Sequence, residues 1–85
     1  MDCLKNTLEK FRKFFGKEAM VEIIESSDKH IIAKFYGHMC YTCGTYDYFE
    51  DFIILYSECA GKDWIIDKIE GFEDYYIVTF KPKKD

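Results

Sequence analysis

The chain has no glutamine, a single asparagine (Asn6) and a single proline (Pro82). It also lacks long apolar runs. The longest is the four residues Phe52–Leu55, far short of the roughly 20 that a membrane-spanning helix needs. No basic-then-apolar leader opens the chain, so a secretory signal is not expected. A phosphate-cradling glycine loop, a nucleophile elbow and an HExxH pair are missing as well. Conventional hydrolase and nucleotide-binding readings therefore have no support. Scarce amides beside plentiful Lys, Glu, Ile, Tyr and Phe fit a thermophile proteome, where intracellular disulfides are tolerated. The expected compartment is the cytoplasm, with no membrane partner.

What remains is enough for one domain, residues 1–85. Hydrophobic residues make up 48% of the chain and aromatics 19% of it, enough to build a modest core and exclude intrinsic disorder. The net charge of −4 is unevenly spread. Residues 1–17 carry +3, residues 18–80 carry −9, and the tail from Lys81 returns +2. An acidic body repels phosphate, so nucleic acid is not the expected partner. The basic residues Lys5, Lys10, Arg12 and Lys13 form a candidate binding face, with a solvated helix surface as the plainer reading.

Apolar spacing lays out the elements. Leu4, Leu8, Phe11 and Phe15 repeat at helical intervals, which predicts an amphipathic helix from about Asp2 to Phe15, stopped by Gly16. Residues 19–24 and 30–36 read as two strands of a hairpin, joined through the turn chemistry of Ser26-Ser27-Asp28-Lys29. In the second strand Ile31, Ala33 and Phe35 share one face, and Ile32, Lys34 and Tyr36 the other. Thr45 is a candidate N-cap, and Tyr46, Phe49, Ile53, Tyr56 and Ala60 mark a second helix closed by Gly61. Trp64–Ile69 and Tyr75–Phe80 read as two further strands. The fold class is α+β, in helix–hairpin–helix–hairpin order, with two helices on one face of a four-stranded, mostly antiparallel sheet. The two halves also read as a possible duplicated αββ unit.

The chemistry gathers at Cys40-Tyr41-Thr42-Cys43. Two thiols two residues apart can grip one metal ion, take one edge of an iron–sulfur cluster, or close into a small disulfide. They precede a helix N-terminus, whose dipole and free N–H groups lower thiol pKa values. His38 is a candidate third ligand. The plainer reading is two small residues lining a tight loop, with His38 facing water. Cys59 lies about 21 Å along the second helix from this loop and cannot join it. It reads as a core-flank residue. Cys3 could reach the loop only if the first helix packs with its start there. A homodimer contributing Cys40 and Cys43 twice supplies four thiolates more economically. Tyr36, Tyr41, Tyr46 and Tyr48 crowd the same loop. They can stack on a ligand or serve as core rim. Asp47, Glu50 and Asp51 complement the helix dipole.

The segments Leu4–Phe15, Met20–Tyr36, the Cys40/Cys43 loop, the helix from Tyr46 and the strand from Trp64 resemble the C-terminal domain of the NifU-type iron–sulfur scaffold proteins in order and spacing. That resemblance implies that Cys40 and Cys43 are cluster ligands shared across a dimer. The motif glycine, Gly37, stands three residues before Cys40 where the family has it two before, and Tyr75–Phe80 is an additional strand. Lys34-Phe35-Tyr36 followed by Cys40-x-x-Cys43 and a helix is also similar to the thioredoxin-like proteins. The remaining length is too short for that complete fold, and no proline stands near the thiols. Three functions follow as expectations. The first is a metal-thiolate module for an iron–sulfur cluster or zinc, not an enzyme. The second is a thiol–disulfide oxidoreductase. The third is a protein- or nucleic-acid-interaction module with structural cysteines.

Overall fold

The computed structural model describes residues 3–16, 19–37 and 45–83. In chain order the elements are α1 (Cys3–Phe15), β1 (Met20–Ser26), β2 (Ile31–Tyr36), α2 (Thr45–Ala60), β3 (Trp64–Gly71) and β4 (Tyr75–Pro82). Both helices end on a glycine in the left-handed region. Gly16 has φ +56° and donates its N–H to the Arg12 carbonyl, while Gly61 has φ +75° and donates to that of Ser57. Open space surrounds the position of a Cβ at both, so the backbone angle, not crowding, calls for glycine.

The hairpin turns are closed by local hydrogen bonds. Ser27 Oγ accepts from the backbone N–H groups of Lys29 and His30, and Ser27 N–H donates to the His30 carbonyl. This is the serine turn chemistry read from the sequence. At the other hairpin Phe72 N–H donates to the Tyr75 carbonyl, and the two rings stack at 4.8 Å.

All strand pairs are antiparallel, in the order β1-β2-β4-β3. Each hairpin thus supplies one edge strand and one central strand. Each edge strand is bulged once, between Ile23 and Glu25 in β1 and between Ile66 and Lys68 in β3. A bulge bends an edge and blunts it as a template for further pairing.

One face of the sheet carries both helices. Ile31, Ala33 and Phe35 of β2 are fully buried, and Ile32, Lys34 and Tyr36 between them are only half-buried. Phe35 sits at the centre, with ring centroids 6.1 Å from Phe11 of α1, 4.8 and 5.6 Å from Phe49 and Phe52 of α2, and 6.2 Å from Phe80 of β4. Rings meeting edge to face at such distances add to the burial of their apolar area. The result is a single compact α+β domain. Among the described residues no helix is long and apolar enough to cross a membrane.

The buried side of α2 differs from the stripe expected. Phe49 and Ile53 are buried, but Tyr46 is 51% exposed, Ala60 is exposed, and Phe52, outside the stripe, is fully buried. The cause is that α2 packs on two surfaces at once. Phe49 meets the sheet through Phe35, and Phe52 also meets α1 through Phe11 at 5.6 Å. A helix covered on two sides needs a wider apolar arc than one period-3.6 stripe describes.

Candidate functional site

The cysteines separate into two ends of the helix layer. The helices run antiparallel, since Phe15 at the end of α1 meets Tyr48 at the start of α2 with centroids 5.1 Å apart. Cys3, at the start of α1, therefore lies at the end of α2, and it forms a disulfide with Cys59. This corrects the core-flank reading of Cys59, which is exposed. It also closes the route by which Cys3 might join the loop. The start of α1 is at the far end of α2, about 21 Å along the helix axis from Thr45. No sequence pattern marks the Cys3–Cys59 pairing, because it depends on the packing sense of two helices far apart in the chain.

The residues expected to act, His38, Cys40 and Cys43, lie outside the described residues, as does Tyr41. Their surroundings are defined at both junctions. Gly37, with φ +111°, follows the last residue of β2 in a conformation that residues with a Cβ avoid. Thr45 opens α2, whose first turn holds Asp47. The segment that joins them ends at the N-terminus of α2, which carries the partial positive charge of the helix dipole.

Aromatic rings surround the two junctions. Tyr36 pairs with Tyr75 across the β2–β4 ladder, and the Lys34 ammonium lies 5.3 Å from the Tyr36 ring centre and 4.8 Å from that of Tyr75. Cation–π contacts of this kind hold a charge at a fixed place on the sheet. Phe72 extends the stack beyond Tyr75. On the helix side Tyr48 packs on Phe15, and Phe49 on Tyr76 at 5.5 Å. Of the tyrosines singled out in the sequence, Tyr36 and Tyr48 are thus packed against neighbours, and Tyr46 stands out into solvent. Phe72 and Tyr75 were not singled out, and Lys34 was read only as part of the stretch before the cysteines and of one face of its strand. The alternation of β2 could have suggested Lys34, but its contact with Tyr75 follows from strand order.

Lys5, Lys10, Arg12 and Lys13 are all exposed on α1. At 100° per residue they spread over about 160° of the helix circumference, so they form no single focus of charge. Arg12 also lines a cavity of about 240 Å³ with Leu8, Phe11, Met20, Val21 and Tyr36, beside the end of β2. Among the described residues no three His, Cys, Asp or Glu side chains gather in a way that could hold a metal ion. Compared with known protein families, with curated proteins and with solved structures, the chain matches none.

Proposed function

We propose that the chain is a small metal-thiolate module that holds or passes an iron–sulfur cluster or zinc through Cys40 and Cys43, with His38 as a third ligand. One observation carries this reading. The Cys3–Cys59 disulfide at the far end of the helix layer accounts for the other two cysteines. Cys40 and Cys43 are then the only pair left to act, two residues apart, just before the N-terminus of α2. Thiolate donors suit both zinc and iron–sulfur clusters. Two thiolates from one chain leave a tetrahedral metal half-coordinated; either His38 adds a third donor within the chain, or a homodimer sharing Cys40 and Cys43 twice completes the set without it. The resemblance in order and spacing that the sequence bears to the NifU-type scaffold domain points to the same assignment. The bound group would supply electron storage as a cluster, or cross-link the two copies as zinc.

A second reading is favoured by the place of the pair in the sequence, two thiols two residues apart shortly before the first residue of α2. Cys40 would attack a substrate disulfide as thiolate, and Cys43 would release the mixed disulfide, leaving the pair oxidised and the substrate reduced. Compartment bears on both. A disulfide such as Cys3–Cys59 persists either in an oxidising compartment or inside a hyperthermophile cell. The cytoplasmic reading therefore goes with the thermophile reading.

Replacing Cys40 and Cys43 together with serine tests these alternatives. The metal reading expects metal uptake to be lost, and the exchange reading expects dithiol reductase activity to be lost. A variant that kept both properties would leave the pair a structural one.

A further inference from the structure

The Cys3–Cys59 disulfide joins opposite ends of two helices. Cys3 is the first residue of α1, and Cys59 stands in the last turn of α2, just before Ala60 ends it. One sulfur therefore sits at the positive end of a helix dipole and its partner at the negative end of another. Neither end is compensated within its own helix. The first turn of α1 has no acidic residue, and the last turn of α2 has no basic one. Charges close by in sequence do not separate the two cysteines. Asp2 adjoins Cys3 and Glu58 adjoins Cys59, while Lys5 and Lys62 lie two and three residues on. The helix ends decide: they favour thiolate at Cys3 and oppose it at Cys59.

Burial separates them in the same sense. Cys59 is exposed and Cys3 half-buried, so a thiol arriving from solvent meets Cys59 first. In thiol–disulfide exchange access selects the sulfur that is attacked, and the sulfur of lower pKa leaves faster. Here these are different sulfurs, so both preferences select one direction of opening. The bond is also separate from what holds α1 down. Leu4, Leu8 and Phe15 pack against the core around Phe11, and Thr7 Oγ1 donates to the Cys3 carbonyl at 2.8 Å. These contacts keep Cys3 in the first turn of α1 when its sulfur is free.

We propose that Cys3–Cys59 is a thiol-exchange site at which Cys59 receives the incoming thiol and Cys3 is the leaving group. The co-substrate is a low-molecular-weight monothiol. Its thiolate attacks Cys59 Sγ, the Cys3–Cys59 bond breaks, and the electron pair of that bond leaves with Cys3 as thiolate at the start of α1. The product is a mixed disulfide on Cys59. A second monothiol thiolate attacks the sulfur of the first, and Cys59 departs and takes a proton from water. Two cysteines are thereby reduced, and two monothiols are oxidised to one disulfide. The same steps in reverse consume that disulfide and reclose the pair. The site does not depend on the metal-thiolate reading, since it lies at the end of the helix layer away from Thr45.

Mapping the adduct on the full chain tests this. The oxidised protein is treated with reduced glutathione without denaturant, quenched with acid, alkylated and digested, and each cysteine is read on its own peptide. The expected early product carries glutathione on Cys59 and the alkyl group on Cys3, with the Cys59 adduct about tenfold over the Cys3 adduct. Glutathione on Cys3, or near-equal shares, overturns the assignment. A pair that opens only in denaturant overturns it too, as do adducts confined to Cys40 and Cys43. The pH dependence of alkylation reads the leaving group separately. Cys3 in the Cys59→Ser variant should titrate about one pH unit below Cys59 in the Cys3→Ser variant. Equal values or the reverse order overturn that half. If the single variants do not fold, the wild-type map still decides.

Discussion

Phe35 touches rings from both helices and from β4, so its removal is felt by every layer of the core. Phe35→Ala should cost about 3–5 kcal/mol, since four well-packed neighbours cannot collapse into the space. Chemical denaturation reads this directly, and a loss below about 1 kcal/mol would mean that the ring cluster does not hold the helices down. Gly61 acts through a different mechanism. Nothing lies within 4 Å of its absent Cβ, so Gly61→Ala should cost only the left-handed backbone strain, about 1–2 kcal/mol. Replacement by D-alanine in a synthetic chain should restore that stability. At this scale much was legible. The alternation of β2 sorts Ile31, Ala33 and Phe35 from Ile32, Lys34 and Tyr36, and Gly16 and Gly61 mark the helix ends, because each signal is written within a few residues. The fate of Cys59 was not legible, because its partner is 56 positions away in sequence.

That disulfide belongs to the scale of the elements. It ties the first residue of α1 to the end of α2, and α1 otherwise packs on the core through Phe11, Leu4, Leu8 and Phe15, the last also meeting Tyr48 of α2. Closing a loop of this length removes unfolded-state entropy worth about 4 kcal/mol in the chain-entropy limit. Cys3→Ser with Cys59→Ser should lower stability by up to that amount, and the melting temperature of the wild type should fall on reduction. Unchanged melting with and without reductant would contradict the pairing, as would a non-reducing peptide map in which Cys3 and Cys59 are both free. The number and kind of elements could be read from periodicity and turn residues. Their arrangement could not: hairpins on one sheet can be ordered in several ways, and only long-range packing puts β4 beside β2. For the same reason the extra buried side of α2 at Phe52 escaped a single-stripe reading.

For the whole molecule the division of labour between its two ends is the central point. One end is closed by Cys3–Cys59. The other gathers Tyr36, Tyr75, Phe72 and the Lys34 ammonium where the chain leaves β2 toward Cys40 and Cys43. The motif itself was plain in the sequence, but the gathering of rings at the end of β2 and the pairing of Cys3 with Cys59 required the fold. The most direct test is to measure iron, zinc and acid-labile sulfide per chain on protein purified anaerobically without chelator, beside the Cys40→Ser/Cys43→Ser variant. The account predicts about half an equivalent of metal site per chain in the wild type, from one site shared by two copies, and none in the variant. Metal-free wild type that also resists reconstitution would contradict it, as would a variant that retains its metal.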